Sequence, residues 1–362
     1  MEVGGRLLVD SASFTVMPRD KVGIVGRNGA GKTSLFKVLG GANEPKAGKV
    51  LRKGGFGYLP QDPKIDSALD GRSCVTHVLS GRGIDDEITR IEKLRISMEE
   101  NPDERNVTRY TAAEEAFRTN GGYAAESEAR AMAAGLGIPD ERLDQPISTL
   151  SGGERRRVEL ARILFAGSDV LCLDEPTNHL DVDAKAWLLG FLRQYKGALL
   201  VISHDLELLD ESITRVLHLD RATETDVGEI FEYRGTYSQY QRARADDEAR
   251  LAKKAVLQAK EIDRLQTVVD RFGAKATKAA MAHSVEKRIA RLETQRVRGP
   301  QGAKTMTVRF PDPPKCGETV IRASGMCKAY GGPTIFEDID FDLGRGERLL
   351  VLGLNGAGKT SL

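Results

Sequence analysis

The sequence predicts an α/β protein, and three observations carry that prediction. A glycine-rich loop, GRNGAGKT at 26–33, follows the apolar run KVGIVG and opens a helical pattern. The octapeptide NGAGKTSL stands at 28–35 and again at 355–362, each time after such a run. Between the copies, the short apolar runs VLCL (170–173) and ALLVIS (198–203) end on Asp174-Glu175 and His204. Short runs that are apolar throughout read as buried parallel strands.

Composition sets the bounds. At 362 residues, with 30% charged and 40% hydrophobic, the chain has material for two domains or one large one. No apolar run approaches the roughly 20 residues that a membrane helix needs, and MEVGGRLLVD is not a signal peptide. Cys74, Cys172, Cys316 and Cys327 are scattered, which points to reduced thiols in a cytoplasmic protein. The net charge of +1 singles out no polyanionic partner; its distribution is more informative.

The first element is duplicated. Residues 4–35 lie over 331–362: an alternating strand, a Gly or Pro turn, an apolar strand, then the loop. The strands have diverged and the loop is identical, so the loop carries the stricter demand and the chain holds two copies of one domain. The loop fits GxxxxGK[ST], whose amides wrap phosphate oxygens. Gly26, Asn28, Gly29, Ala30 and Gly31 form the wrap and Lys32 reaches the β- and γ-phosphates. Thr33 holds Mg²⁺, and Ser34 lies in the helix whose positive end faces the anion. Asn355, Gly356, Gly358, Lys359 and Thr360 take the same places in the second copy. One match alone also fits a plain turn before a helix; two in homologous settings do not.

Further along, FGYLPQDP sets Gln61 just beyond a short strand, where a lone glutamine would be an ordinary surface group. In LSGGERRRVELARIL, Ser151, Gly152 and Gly153 open an amphipathic helix with Val158, Leu160, Ala161 and Leu164 as its apolar positions. That start is either a second anion cradle or an ordinary serine N-cap. Asp174, ending a buried strand, is placed to hold Mg²⁺. Glu175 is placed to polarise a water in line with the γ-phosphate, and His204 to contact that phosphate, although a lone histidine there would as readily be structural.

Together these stretches resemble the ATP-binding-cassette superfamily. GRNGAGKT resembles the Walker A loop, Gln61 the Q-loop, LSGGE the signature, VLCLDE the Walker B strand, Asp181 the D-loop and His204 the switch histidine. The resemblance covers 4 to about 222 as one cassette and restarts near 318. It implies an ATPase that takes ATP and Mg²⁺, with Glu175, His204 and Gln61 catalytic and Thr33, Gln61 and Asp174 around the metal. It also implies that Ser151 and Gly153 complete a site on a second cassette. The fold expected is a P-loop cassette with a helical subdomain at 1–235, an antiparallel coiled-coil linker at 236–312, and the start of a second cassette at 313–362.

The linker separates the branches of the superfamily. Leu251, Ala255, Gln258, Ile262, Leu265, Val269 and Phe272 recur at alternating spacings of 4 and 3, a coiled-coil seam with one polar member. Met281, Val285, Ile289 and Leu292 share a second face, so a helical hairpin is expected, with arms of about 25 to 28 residues or about 40 Å. From Arg271 to Lys304 there are nine Lys or Arg and two Glu. Such a bias suits a phosphate backbone, and the scarcity of aromatics argues against base stacking. DEPTNHLD, YRGTYSQY and the hairpin tip resemble the soluble ABC-F branch. That resemblance implies ribosome binding through rRNA and tRNA contacts around Arg271, Lys275, Lys278, Lys287, Arg288 and Arg291, in translation or in antibiotic resistance. The rivals are a transporter ATPase and a DNA-associated coiled-coil ATPase. The former lacks such a linker, and the latter splits its cassette with the coil, whereas here the first cassette is whole before the coil begins.

Two departures from the pattern stand out. Tyr330 occupies the adenine-stacking place of the second copy, whereas Val3 aligns with it in the first. The second copy stops at its loop, so the chain is expected to be a fragment that hydrolyses ATP poorly. Because a base–aromatic stack contributes about 1–3 kcal/mol, Val3→Tyr is expected to tighten ATP binding by about tenfold in a fluorescent-nucleotide titration. Unchanged affinity would show that position 3 is not the base platform.

Overall fold

The elements form where the sequence periods change. In the computed structural model they run β1 (Glu2–Val3), β2 (Arg6–Leu7), β3 (Lys21–Gly26), α1 (Lys32–Leu39), β4 (Phe56–Leu59), α2 (Cys74–Leu79), α3 (Ile84–Glu100), α4 (Glu104–Thr119), α5 (Gly122–Gly135), α6 (Asp140–Leu143) and α7 (Gly152–Phe165). There follow β5 (Val170–Asp174), α8 (Val182–Gln194), β6 (Ala198–Ile202), α9 (Leu206–Ser212), β7 (Arg215–Asp220), β8 (Glu229–Arg234), α10 (Tyr237–Gly273), α11 (Ala279–Thr294), β9 (Thr319–Ala329) and β10 (Thr334–Gly344). The structure describes residues 2–3, 6–7, 9, 12–61, 71–221, 227–273, 279–295, 308–309, 311, 317–330, 334–353 and 357–362. Two compact units result, one of Met1–Thr15, Lys21–Lys32 and Leu206–Met306, the other of Val16–Asp20, Thr33–Asp205 and Thr307–Leu362.

In the second unit β4, β5 and β6 pair in parallel, with Leu59 opposite Leu173 and Asp174 opposite Ile202. β6 is buried along its whole length and β5 along all but its first residue, as strands covered on both faces must be. The helical subdomain, α2 to α6, meets α7 through small residues. Ala125, Ala129 and Ala133 of α5 are buried and let the helices approach closely. Helix starts follow their caps: Ser73 for α2, Asp103 for α4, Asp181 for α8, and for α7 a full capping box of Ser151 with Glu154.

In the first unit β3 and β7 pair in parallel and β7 and β8 antiparallel. Helix α10 is rooted here. The Asp210 carboxylate on α9 accepts from Ser238 N (2.6 Å) and Ser238 Oγ (2.5 Å), capping the helix start. α10 then pairs with α11 as an antiparallel hairpin, since Gln258 Nε2 donates to Leu292 O and Gln295 O while Glu261 faces Arg288 at 3.4 Å. The seam is the more buried face: Ala255, Gln258, Ile262, Leu265 and Val269 meet Val285, Ile289 and Leu292, while Leu251 is exposed. At 37 residues, about 55 Å, α10 exceeds the expected arm length. The reason is that Tyr240 of YRGTYSQY meets Tyr233 of β8 edge-on and Tyr237 at a tilt, so the helix begins inside that stretch.

Two expectations fail. The alternating strand read at the start of residues 4–35 is reduced to β2 at Arg6–Leu7, and residues 12–17 carry no strand ladder. Residues 348–353, read as the apolar strand of the second copy, form no strand. Leu350 and Leu352 are 77% and 80% exposed. The physical reason is pairing: among the described residues no strand lies beside this run, and an unpaired strand has nowhere to place its N–H and C=O groups. Among the described residues, β9 and β10 pair only with each other.

His218 of β7 is buried, and the desolvation pushes its pKa down to about 4. Arg244 of α10, 2.8 Å from Nε2, adds to this, because a guanidinium can only donate and so needs an unprotonated nitrogen. Asp220, Glu248 and Arg27 also act on the ring. A depressed histidine pKa means that the unfolded chain binds more protons between about pH 6.5 and 4. Stability is therefore lost as pH falls through that window, by up to about 3 kcal/mol. Urea unfolding from pH 7.5 to 4.5 is expected to show this slope, and His218→Gln to flatten it. An unchanged slope in the variant would place the titration elsewhere.

Candidate nucleotide site

The glycine loop of the first unit is set by its own backbone. At Gly26, where β3 ends, a Cβ would lie 2.6 Å from Leu219 O, so only glycine fits beside β7. Gly29 (φ +77°) and Gly31 (φ +104°) are left-handed and bracket Ala30, the arrangement that turns successive N–H groups inward as an anion nest. Ala30 is buried with Val9 and Leu219, with Ile230 packed against them, and this pins the crest of the loop. Lys32 Nζ donates to Gly26 O (2.8 Å) and Arg27 O (3.2 Å), so the loop closes on its own lysine. Asn28 is exposed, and Thr33 and Ser34 continue α1 into the second unit.

The second unit gathers the acidic groups. Asp174 is 1% and Glu175 6% exposed, at the carboxyl end of β5. Glu175 has φ +53°, a conformation costly for any residue with a Cβ. Its N–H donates to Ile202 O (2.8 Å) and its Oε2 accepts from His204 N (3.2 Å). His204 Nε2 stands 3.5 Å from Oε1, with its side chain 69% exposed. Gln61 is exposed beyond β4. Ser151 N and Oγ bond the Glu154 carboxylate at 2.9 and 2.7 Å, so the signature serine serves as an N-cap. Gly153 sits close to His179, and Asp181 accepts from Ala184 N (3.0 Å).

Sequence reasoning missed Arg156. It is 6% exposed, and its guanidinium donates to the carbonyls of Asp174 and Glu175 (both 2.8 Å), Pro60 (3.3 Å) and Gln61. Inside the run RRR it reads as surface charge. The available signal was helical phase, since it precedes Leu160 by one turn. In the second copy, Lys359 Nζ donates to Gly353 O (2.8 Å) and Gly358 has φ +84°, as in the first loop, and Thr360 lies in a turn. Asn355 and Gly356 lie outside the described residues, as do Lys275 and Lys278 of the hairpin tip.

The groups present fit a nucleotide phosphate chain and one divalent cation. At Gly29 a Cβ would meet no protein atom within 4 Å, so the crest of the nest is open. Among the described residues no three His, Cys, Asp or Glu cluster to hold a metal. A divalent cation held by one or two of these groups would complete its shell from phosphate and water.

A phosphate nest ahead of a helix, with an acidic pair ending a buried parallel strand, defines a P-loop nucleotide-binding domain. ABC transporter family models match residues 9–178 and 223–310. The probable ATP-binding protein YbiT of Escherichia coli O157:H7 is 31% identical over 366 residues, covering 100% of this chain and 67% of that protein. The chain belongs to the ATP-binding-cassette family, and its relatives are of the ABC-F type. YheS of E. coli K12, a probable ATP-binding protein, is 33% identical over 99% of this chain. The energy-dependent translational throttle protein EttA of Haemophilus influenzae is 31% identical, again over 99% of it. The chain spans about half the length of YheS (54%) and 62% of EttA. No helix among the described residues is long and apolar enough to cross a membrane.

The loop geometry predicts a graded response. Gly26→Ala meets the Leu219 carbonyl and is expected to cost about 1–3 kcal/mol in urea unfolding. Gly29→Ala has space but not conformation, and is expected to cost about 1 kcal/mol. Equal effects would mean that the close approach at Gly26 is relieved by a backbone shift.

Proposed function

We propose that this chain is part of a cytoplasmic ABC-F ATPase that binds the ribosome and couples ATP binding and hydrolysis to translation, with protection against ribosome-directed antibiotics as one form of that role. The observation that carries the reading is the cassette joined directly to a helical hairpin, whose root is bonded to the helix that follows His204. On this reading the nest amides of Gly26 to Gly31 and Lys32 bind the phosphates of ATP. Thr33, Asp174 and Gln61 are the residues that would hold Mg²⁺, which when bound neutralises charge on the β- and γ-phosphates. Glu175 accepts a hydrogen bond from the attacking water and orients it, and the contact with His204 holds the carboxylate in place. Ser151, Gly152 and Gly153 serve a second cassette. The second loop, Asn355 to Thr360, binds ATP once a strand and helix flank it.

The hairpin supplies the contact with RNA. Lys287, Arg288 and Arg291 are exposed on α11, and with Arg271, Lys275 and Lys278 they neutralise phosphates of rRNA and tRNA. The kinship with EttA supports a ribosomal partner over a transporter or DNA.

Glu175→Gln is expected to slow ATP turnover at least about 100-fold and to hold the protein on ribosomes in sucrose gradients with ATP. In the same gradients, Lys287→Glu with Arg291→Glu is expected to release it, and more so as salt rises. Parental turnover in Glu175→Gln would remove its assigned role; binding indifferent to the charge reversal would remove the ribosomal role of the hairpin.

A further inference from the structure

The buried guanidinium of Arg156 joins two segments that are far apart in sequence. It leaves α7 one turn beyond the Ser151 capping box. One terminal nitrogen, Nη2, donates to Asp174 O and Glu175 O, both at 2.8 Å; the other, Nη1, donates to Pro60 O at 3.3 Å and to Gln61 O. Four carbonyls converge on one planar fork. Two belong to the end of β5 and two to the loop after β4. A lysine has the charge but not the fork, and cannot serve both segments in this geometry.

The backbone at Glu175 shows why such a clamp is needed. Its left-handed φ of +53° persists only when neighbours over-determine it. Its N–H is held by Ile202 O (2.8 Å) and its C=O by Arg156 (2.8 Å) and by Asn178 N (3.3 Å), so the guanidinium supplies one of these main-chain anchors, and the one that reaches it from α7. The same guanidinium holds the carbonyl of Gln61. A shift of α7 therefore moves Gln61 and Glu175 together.

We infer that Arg156 is a positioning residue that couples the Gln61 loop to Glu175, so that movement of the signature helix α7 sets the geometry of the hydrolytic carboxylate. The inference rests on the reading of Glu175 as the water-orienting group.

The test compares Arg156→Lys with Arg157→Lys, a matched loss of a neighbouring buried guanidinium. In hydrogen exchange, Arg156→Lys is expected to speed exchange at 58–62 and 174–178 together by at least tenfold, with 198–202 unchanged; Arg157→Lys should do neither. In ATP turnover, Arg156→Lys is expected to lower kcat at least tenfold while KM moves less than twofold. Added to Glu175→Gln it should change residual turnover by less than twofold. Loosening of only one segment, or a full additive loss on top of Glu175→Gln, overturns the coupling. If Arg156→Lys does not fold, Arg156→Gln carries the same comparison. Failure of both to fold also overturns it, because the residue would then be structural for the whole unit. Parental turnover in Glu175→Gln is a different failure: it removes the role of Glu175 and leaves the exchange result to decide whether the two segments are joined.

Discussion

The arrangement of the second unit depends on one constraint: its parallel strands are buried. A strand covered on both faces satisfies its backbone through its neighbours and has no room for an unpartnered polar side chain. Polar chemistry is thereby driven to the strand ends. β5 and β6 are apolar until Asp174 and Ile202, which sit opposite each other, and the next residues on each strand are Glu175 and Ser203-His204. Parallel pairing in that register sets the His204 amide beside the Glu175 carboxylate without any sequence proximity. The juxtaposition on which hydrolysis would depend is thus a by-product of strand register.

Register alone does not hold the turn after β5. Glu175 and His179 both have positive φ, and such conformations cost of order 1–3 kcal/mol each. The cost at Glu175 is offset by main-chain bonds to Ile202 and Arg156. Burying Arg156 is itself unfavourable unless its donors are met, and four carbonyls from two segments meet its two terminal nitrogens. The same hydrogen bonds thus offset both the strain at the site and the desolvation of the arginine. Because α7 carries both the signature serine and Arg156, the end of that helix and the end of β5 are parts of one hydrogen-bonded assembly.

The hairpin of the first unit follows a different rule. Its helices bury a narrow seam and present polar faces elsewhere, so its position is set at the root. There Asp210 caps α10, and Arg244 of α10 bonds across to His218 of β7 and donates to the Tyr240 hydroxyl. Gln258, the one polar member of the seam, donates to two carbonyls at the end of α11. That bond costs little and selects a single antiparallel register, as isolated polar seam residues do.

Much of this was legible in the residues. The loop, the strands 21–26, 170–174 and 198–202, the helix after Ser151 and both seam faces follow from period and composition, because local sterics and burial period act within a few residues. Arg156 was not legible, since only the fold shows that its turn of α7 faces the strand end rather than water. The two copies of NGAGKTSL draw the line most sharply. In both, the lysine donates to the carbonyl six residues earlier at 2.8 Å and the glycine before it is left-handed; the octapeptide by itself determined that much. Among the described residues, only the first copy follows a strand. β7 supplies the ladder that β3 needs, whereas no strand lies beside 348–353 among the described residues. Loop conformation is decided by neighbours in sequence and strand formation by neighbours in space, so the shared lysine bond and left-handed glycine recur while the surroundings differ.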